Sequence, residues 1–460
     1  MPNLLAYLVL LLWPLVVLVL FQKLPPGRAL IWSVLSGYMW LPPVANFDPP
    51  VLPPFDKNSI TVLSCWFATW KVTGDRPRLI PKDLTGRILA LTFLFWPVVT
   101  ILANSEPVLR GRFPPIQGLS LADLPSLAYE NFYALMLLGL ARQLLTRRED
   151  LHDLMFALMA AGLVYSVPMI VEVVLSPQIN TWIYGFFQHS FLQMMRQGGF
   201  RPIVFMPHGL WVALFAASSL WAALILTRWA APTHRAFLMA STLWLMVVLI
   251  LCKSLGVLLF SAVVVPAIWL LPAGLQLRLA LIISAVALLY PIFRASPGFP
   301  EAWLIEMAAR IEPERARSLE FRLINETILL DRAGLKPLVG WGGHARNMTF
   351  SIWDGEIETV SDGLWIIRLG MFGWPGYLAS FGLLALPILR AGLRKNAESW
   401  PVFSGLALIL AANIFDLLPN ATLTNVTWLI AGALWAGVPP AEEESQKIRD
   451  PFQREKRTLI

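Results

Sequence analysis

The side chains best suited to chemistry in this chain are cations placed beside long apolar segments. Arg201 precedes such a segment, Lys253 lies in a short turn between two of them, and Arg317 and Arg322 lie in the longest polar stretch. A guanidinium group can donate two parallel hydrogen bonds to a phosphate, whereas an ammonium group acts as a point charge. These four cations therefore predict a site for an anionic partner, such as a phosphate or pyrophosphate headgroup.

The same cations have a simpler interpretation that the sequence leaves open. Arginine side chains at a membrane boundary can snorkel to lipid phosphates, or they can pair with neighbouring acids such as Glu320 and Glu326. Ionisable groups at the boundary of a helical bundle are more often functional than those on an ordinary surface. Both interpretations therefore stay open for Arg201 and Arg322.

Three side chains are candidates for a general base, the group that accepts a proton from a substrate hydroxyl. Asp362 precedes an apolar segment, His344 follows a Trp-Gly-Gly turn, and Glu326 lies four residues after Arg322 on a predicted helix. Each candidate also has an alternative role. Aspartate is a favoured helix N-cap, a histidine can be an ordinary loop residue, and Glu326 can pair with Arg322 on one helical face.

Three further side chains could contact a substrate. His208 follows a proline at the start of a predicted span and could line the site. Trp341 and Trp353 could pack on the C–H faces of sugars, although tryptophans near the boundary also form the interfacial aromatic belt. The sequence has no DxD motif and no His, Cys and Asp spacing typical of an ion site, so it predicts neither a metal nor a cofactor.

The composition places all of these residues in a membrane protein. Of the 460 residues, 57% are hydrophobic and 14% are charged, and the mean hydropathy is +0.63. Soluble domains are about 45–50% apolar and about 25% charged, so a soluble or disordered chain is excluded. The predicted fold class is an all-α polytopic membrane protein. The net charge of +7 is assigned to cytoplasmic loops rather than to nucleic-acid binding.

Hydrophobicity predicts 12 or 13 transmembrane helices, because a spanning helix needs about 20 mostly apolar residues. Two of the segments, 29–44 and 59–72, are short and interrupted. The first clear segment lacks a basic N-terminal cluster and a cleavage site, so it is predicted to be a retained helix. The clear segments are 3–21, 86–104, 127–146, 153–175, 203–227, 236–252, 254–272, 277–293, 363–389, 401–418 and 423–439.

Basic residues in the connections predict the orientation of these spans. Seven connections that alternation places on one side hold 21 Lys and Arg, and the positive-inside rule makes that side cytoplasmic. They are 22–28, 71–87, 142–148, 228–235, 278, 390–395 and the chain after 440. The long loop is therefore predicted to lie on the opposite, non-cytoplasmic side, which in a bacterial inner membrane is the periplasm.

Four parts follow from this topology. They are transmembrane helices with short loops at 1–293, a large, partly helical periplasmic loop at 294–361, C-terminal transmembrane helices at 362–439, and a charged cytoplasmic tail at 440–460. In the large loop, Leu319, Leu323 and Leu330 fall on one helical stripe. Gly334 is expected to end that helix.

Three stretches of sequence resemble a known family. They are PLVGWGGH at 337–344, DGLWIIRLGMFGWPG at 362–376, and MRQGGFRPIVFMPHGLWVALF at 195–215. The chain resembles the O-antigen ligase and O-antigen polymerase superfamily of bacterial envelope glycosyltransferases. The resemblance implies a GT-C-like fold with about a dozen spans and one long periplasmic loop between two late spans.

The resemblance also implies roles for individual residues. Arg201 and Arg322 match the two arginines that hold the lipid pyrophosphate. Arg317 and Lys253 are the alternative cations for the same role. Asp362 stands where the ligases have a histidine. This departure weakens a ligase assignment and suits the polymerase branch.

The implied activity is transfer of a glycan from an undecaprenyl-pyrophosphate-type carrier to a hydroxyl of another glycan at the periplasmic face. The partners expected are the lipid-linked donor, the glycan acceptor, the membrane and, for a polymerase, a chain-length regulator. A lipid-linked oligosaccharide flippase or other transporter is the alternative, and a non-catalytic envelope scaffold is the third. A transporter should show internal repeats and polar residues deep within its spans.

Overall fold

The chain folds almost entirely into helices. The computed structural model describes residues 1–49, 53–196, 198–393, 400–435 and 437. It is 71% helical with almost no sheet, which confirms an all-α protein. The α-helices within the described residues are α1 Leu4–Lys23, α2 Pro26–Trp40, α3 Lys57–Thr73, α4 Leu84–Leu102, α5 Leu124–Leu144, α6 Arg148–Leu175, α7 Ile179–Tyr184, α8 Gly209–Trp229, α9 Pro232–Leu251, α10 Leu255–Leu270, α11 Ala273–Ala295, α12 Glu301–Ile311, α13 Pro313–Gly334, α14 Leu364–Gly392, α15 Pro401–Asp416 and α16 Asn425–Leu434.

Two small antiparallel hairpins complete the regular structure of the described residues. Strands β1 Val108–Arg110 and β2 Phe113–Ile116 pair Val108 with Ile116. Strands β3 Met195–Arg196 and β4 Gly199–Phe200 pair Met195 with Phe200, directly before Arg201. Both hairpins lie in connections between helices, and neither contributes to a larger sheet.

Seven helices are long and apolar enough to cross a membrane: α1, α4, α6, α8, α9, α11 and α14. Three shorter helices, α10, α15 and α16, are also apolar. A membrane protein with several spans is therefore supported by length and composition. Each of the 13 segments predicted as spans falls on a helix, while the count of 12 or 13 crossings stays a prediction.

One predicted span begins too early. The segment 203–227 was expected to be continuous, but α8 begins only at Gly209. The preceding residues 201–206 are buried and non-helical, and Val204 has a φ of 49°. Pro202 and Pro207 flank this stretch, and a proline restricts the residue before it to extended conformations.

Contacts between connections show which helix ends share a face of the bundle. The Arg28 Nε donates to Asp153 Oδ2 at 2.6 Å, and the Arg142 Nη2 donates to the carbonyl of Ile80 at 3.0 Å. Arg390 pairs with Asp83. The end of the bundle that carries the connections 24–25, 74–83 and 145–147 is here called the basic face. Its assignment to the cytoplasmic side stays a prediction. The tail at 440–460 lies outside the described residues.

The opposite end, here called the loop face, carries the connections 103–123, 176–208 and 296–363. Its largest element is the helical pair α12 and α13. Helix α13 ends at Gly334, as expected, and buries Leu323, with Leu319 and Leu330 half-buried.

The turn at 337–342 packs against a break in α14. Gly373 interrupts the helix with φ 64° and ψ −170°, and the Trp374 amide donates to the Pro337 carbonyl at 2.8 Å. The amides of Trp341 and Gly342 donate to carbonyls of α14 at 2.9 Å. A Cβ on Gly373 would come within 2.5 Å of the Pro337 oxygen. The glycine therefore lets the two backbones meet.

Replacing Gly373 by alanine should destabilise the fold. The new methyl group needs a left-handed backbone and collides with the Pro337 carbonyl, so we expect a loss of about 1–3 kcal/mol. Gly256→Ala is the matched control, because a Cβ there meets nothing within 4 Å. Thermal unfolding of the purified protein in detergent measures both variants, and an equal Tm for the two would contradict this account of the break in α14.

Candidate functional site

Arg201 is buried without an anionic partner. Its side chain is 4% exposed, and its Nε and Nη2 atoms have no hydrogen-bond partner among the described residues. It packs on the first residue of α8, since a Cβ on Gly209 would lie 2.6 Å from the Arg201 Nε. The amino end of a helix also favours negative charge. A buried guanidinium beside it thus forms an anion-binding arrangement that the protein itself leaves unfilled.

The electrostatic surroundings of Arg201 are also cationic. Burial, with smaller contributions from Arg196 and Arg315, lowers the pKa of Arg201 to about 10, while Cys252 acts in the opposite direction. None of these groups is a carboxylate. A bound anion would therefore satisfy both the orphaned N–H groups and the excess positive charge.

His208 lies beside this guanidinium and caps α8. Its Nδ1 accepts a hydrogen bond from the Leu210 amide at 3.0 Å, which leaves Nε2 to carry the proton of a neutral ring. Burial lowers the pKa of His208 to about 3, and Arg201, His189 and Arg196 act in the same direction. The His189 and His208 rings stand edge to face, 4.5 Å apart. His208 is thus a neutral donor near Arg201.

Buried polar side chains hold the loop that carries Arg201. The Glu172 carboxylate, which is fully buried, accepts hydrogen bonds from the amides of Ile203 and Val204 at 2.8 and 2.7 Å. The Lys57 Nζ donates to the Phe205 carbonyl at 3.0 Å. Backbone groups away from water require such partners, so these side chains are what allows a non-helical loop inside the bundle.

Arg322 and Asp362 form an ion pair on the loop face. The Arg322 Nε lies 3.1 Å from Asp362 Oδ2, and its Nη1 donates to the Pro419 carbonyl at 3.4 Å. The N-cap of α14 is Gly363, with no side-chain cap, so the alternative role of Asp362 as an N-cap is wrong. The carboxylate is committed to Arg322 instead.

Asp416 stabilises the turn that contacts Arg322 of this ion pair. It is buried at the end of α15 and accepts hydrogen bonds from Asn420 Nδ2 at 2.9 Å and from Thr422 Oγ1 at 2.5 Å. These bonds close the turn after α15. The same turn supplies the Pro419 carbonyl to Arg322 and binds the Leu364 amide through the Leu417 carbonyl at 2.9 Å.

The sequence analysis missed Asp416, Glu172 and Lys57. The available signal was a single ionisable residue at the end of an apolar segment. The prediction for Glu326 was wrong in its partner: Glu326 accepts from Arg294 Nε and the Tyr290 hydroxyl, both at 3.1 Å, rather than from Arg322. This buried contact fastens α13 to α11 and gives Glu326 a structural role.

His344 and Trp341 lie in a different part of the loop face. The His344 Nε2 is 3.6 Å from Asp123 Oδ1. The Trp341 ring is covered by cations, with Arg332 3.6 Å and Lys336 4.6 Å from its centroid. These contacts stabilise the turn at 337–342. The Trp341 ring thus already packs against two side chains of the protein itself.

Of the remaining predicted residues, Trp353 and Arg317 are exposed and Lys253 is half-buried. Trp353 is 76% exposed and contacts Arg112 through its carbonyl. Arg317 is exposed on α13. The Lys253 Nζ donates to the Arg196 carbonyl at 3.1 Å and so braces the β3–β4 hairpin.

Two groups of predicted residues therefore form: Arg201 with His208, and Arg322 with Asp362. Arg315, which acts on Arg201, stands seven residues before Arg322 on α13, about 10 Å along the helix axis. A separate cavity of about 420 Å³ lies between α11, α13 and α14. It is lined by Arg294 and Asp331 among others, and by none of the predicted site residues.

Comparisons with known proteins do not assign the chain to a family. No protein-family model, curated protein or solved structure gives a significant match to the chain. The resemblance to the ligase and polymerase superfamily therefore rests on the three quoted stretches alone. Within the described ranges, no three or more His, Cys, Asp or Glu side chains gather as a possible metal site.

Replacing Glu172 by alanine should collapse the loop that holds Arg201. The change leaves the amides of Ile179, Ile203 and Val204 without an acceptor, at about 1–3 kcal/mol for each buried group. We expect a Tm several degrees below wild type, measured in detergent. Glu306→Ala, on the exposed surface of α12, should unfold like wild type; an equally small effect of Glu172→Ala would show that the carboxylate does not hold the loop.

Proposed function

We propose that the protein is a membrane glycosyltransferase, a polysaccharide polymerase or ligase. It transfers a glycan from an undecaprenyl-pyrophosphate-type carrier to a hydroxyl of another glycan. The observation that carries this proposal is the buried guanidinium of Arg201, which pairs with no anion among the described residues and lies at the amino end of α8. A diphosphate fits this arrangement because it can accept several hydrogen bonds from guanidinium and backbone N–H groups.

The proposed reaction makes one bond and breaks one. The acceptor hydroxyl oxygen bonds to C1 of the donor sugar as the bond from C1 to the diphosphate oxygen breaks. The electron pair of that bond leaves with the diphosphate, and the hydroxyl proton passes to a carboxylate. Stabilising the charge that develops on the leaving group is the main demand, and preorganised cations meet it well.

The residues divide between these tasks. Arg201 binds the diphosphate, and Arg322 adds a second guanidinium from α13. Asp362 is the proposed base, because its carboxylate is next to Arg322 and 40% exposed to solvent. His344 is the less suitable base, since it pairs with Asp123 in another part of the loop face.

The position of the buried charges favours this proposal over a transporter. Lys57, Glu172, Arg368 and Asp416 are buried, and each lies within about one turn of the loop-face end of its helix. A transporter of charged substrates or coupling ions would need ionisable groups near the middle of its spans, where buried polar side chains of the described helices, such as Ser219 and Ser284, are neutral. We place the loop face in the periplasm and the protein in a bacterial inner membrane as part of the same proposal.

Arg201→Ala and Arg322→Ala should leave the protein in the membrane but stop polymer formation. Loss of one charge-stabilising donor lowers turnover by about 10²–10³-fold, so lipid-linked repeat units should accumulate. Arg310→Ala is the matched control, because Arg310 is an exposed arginine paired only with Glu306 on α12. Long-chain polymer from both Ala variants would contradict the proposal. Repeat units trapped in the cytoplasmic leaflet, measured with an impermeant label, would indicate a flippase instead.

Asp362→Asn and His344→Ala should differ in activity. An amide cannot take up the hydroxyl proton, so Asp362→Asn should lower the rate of glycan transfer by about 10²–10⁴-fold. His344→Ala should retain most of it. The assay is incorporation of labelled repeat units into polymer by membranes that hold equal amounts of each variant. Full activity of Asp362→Asn would remove it as the base.

A further inference from the structure

The two arginines of the proposed site differ in what already binds them. Arg201 has two orphaned nitrogens, whereas Arg322 is engaged by the Asp362 carboxylate at 3.1 Å and by the Pro419 carbonyl. An anion can bind Arg201 directly. It can bind the Arg322 Nε only by replacing a carboxylate oxygen.

We propose that Asp362 and the donor diphosphate compete for Arg322, so that arrival of the donor releases the base. In the resting protein the carboxylate occupies the guanidinium. When the diphosphate takes that place, Asp362 Oδ2 becomes free to accept the proton of the acceptor hydroxyl. This inference rests on the proposed function and concerns the order in which the same site assembles.

The strength of the ion pair makes such an exchange feasible. The Arg322 and Asp362 side chains are 37% and 40% exposed, and their closest charged atoms are 3.1 Å apart. Pairs with this exposure contribute about 0–1 kcal/mol. A diphosphate carries more charge than one carboxylate and can accept two parallel hydrogen bonds from the guanidinium, so it should displace Asp362.

The neighbouring pair on α13 shows the contrast. Arg294 and Glu326 are 5% and 13% exposed, and Arg294 also donates to Thr327 and to the Leu323 carbonyl. Removing one partner of such a buried pair is costly. Of these two pairs on α13, the one at Arg322 is therefore the one that an incoming anion can open.

The backbone around Asp362 is fixed, so the exchange needs only its side chain to move. The Leu364 amide donates to the Leu417 carbonyl at 2.9 Å. Gly363 packs so closely on the turn after α15 that a Cβ would lie 2.0 Å from the Leu418 oxygen. Asp416, through Asn420 and Thr422, holds that turn in place. Rotation of one carboxylate is thus enough to pass Arg322 from Asp362 to the donor.

A double-mutant cycle with farnesyl diphosphate, a soluble isoprenoid diphosphate, tests the competition. Its affinity is measured on the purified full-length protein in detergent. Asp362→Asn removes the competing charge and should tighten binding about five-fold, the equivalent of about 1 kcal/mol. Arg322→Gln should weaken binding. In the Arg322→Gln background, Asp362→Asn should have no effect, because nothing is left to compete for. Asp362→Glu keeps the charge and should bind like wild type.

The controls separate failure of the competition from failure of the proposed function. Glu306→Gln removes a carboxylate from an exposed arginine pair on α12 and should leave the affinity unchanged. If Arg322→Gln weakens binding but Asp362→Asn does not tighten it, the competition is wrong and the diphosphate site stands. Tightening that persists in the Arg322→Gln background also overturns the competition. If wild type does not bind the diphosphate, both proposals fail.

Discussion

A buried guanidinium without a counter-anion is the constraint on which this site depends. Removing a charge from water is costly unless it is paired, yet Arg201 is 4% exposed and two of its nitrogens have no partner. The fold holds it there through a non-helical loop whose amides bind Glu172 and whose Phe205 carbonyl binds Lys57. The buried polar side chains thus hold the loop in place, and the loop presents a guanidinium whose Nε and Nη2 atoms have no partner among the described residues.

The different roles proposed for Arg201 and Arg322 follow from how deeply each side chain is buried. Arg201 is enclosed and unpaired, which suits tight binding of an anion. Arg322 is more exposed and weakly paired with Asp362, which suits a contact that forms and breaks during a reaction. Helix α13 carries Arg322 as well as Arg315, which acts on Arg201, and its contact with Arg294 fixes its position against α11.

Hydropathy predicted the helices well, because lipid-facing and bundle-facing helices are both apolar over their whole length. It misplaced the start of α8, since 203–206 is as apolar as a span but is bounded by Pro202 and Pro207 and held by side chains distant in sequence. The glycine at position 334, a helix-stop signal, predicted the end of α13. The ion-pair partners on α13 were not predictable, because these contacts depend on how α11, α13 and α14 pack. Glu326 pairs with Arg294, and Arg322 pairs with Asp362.

The most direct measurement is an experimental structure of the protein in a lipid nanodisc with an isoprenoid diphosphate bound. The account predicts phosphate oxygens within hydrogen-bond distance of the Arg201 Nε and Nη2, with Asp362 turned away from Arg322. Phosphate bound elsewhere, for example in the cavity beside Arg294, with Arg201 still unpaired and the Arg322–Asp362 pair intact, would contradict it.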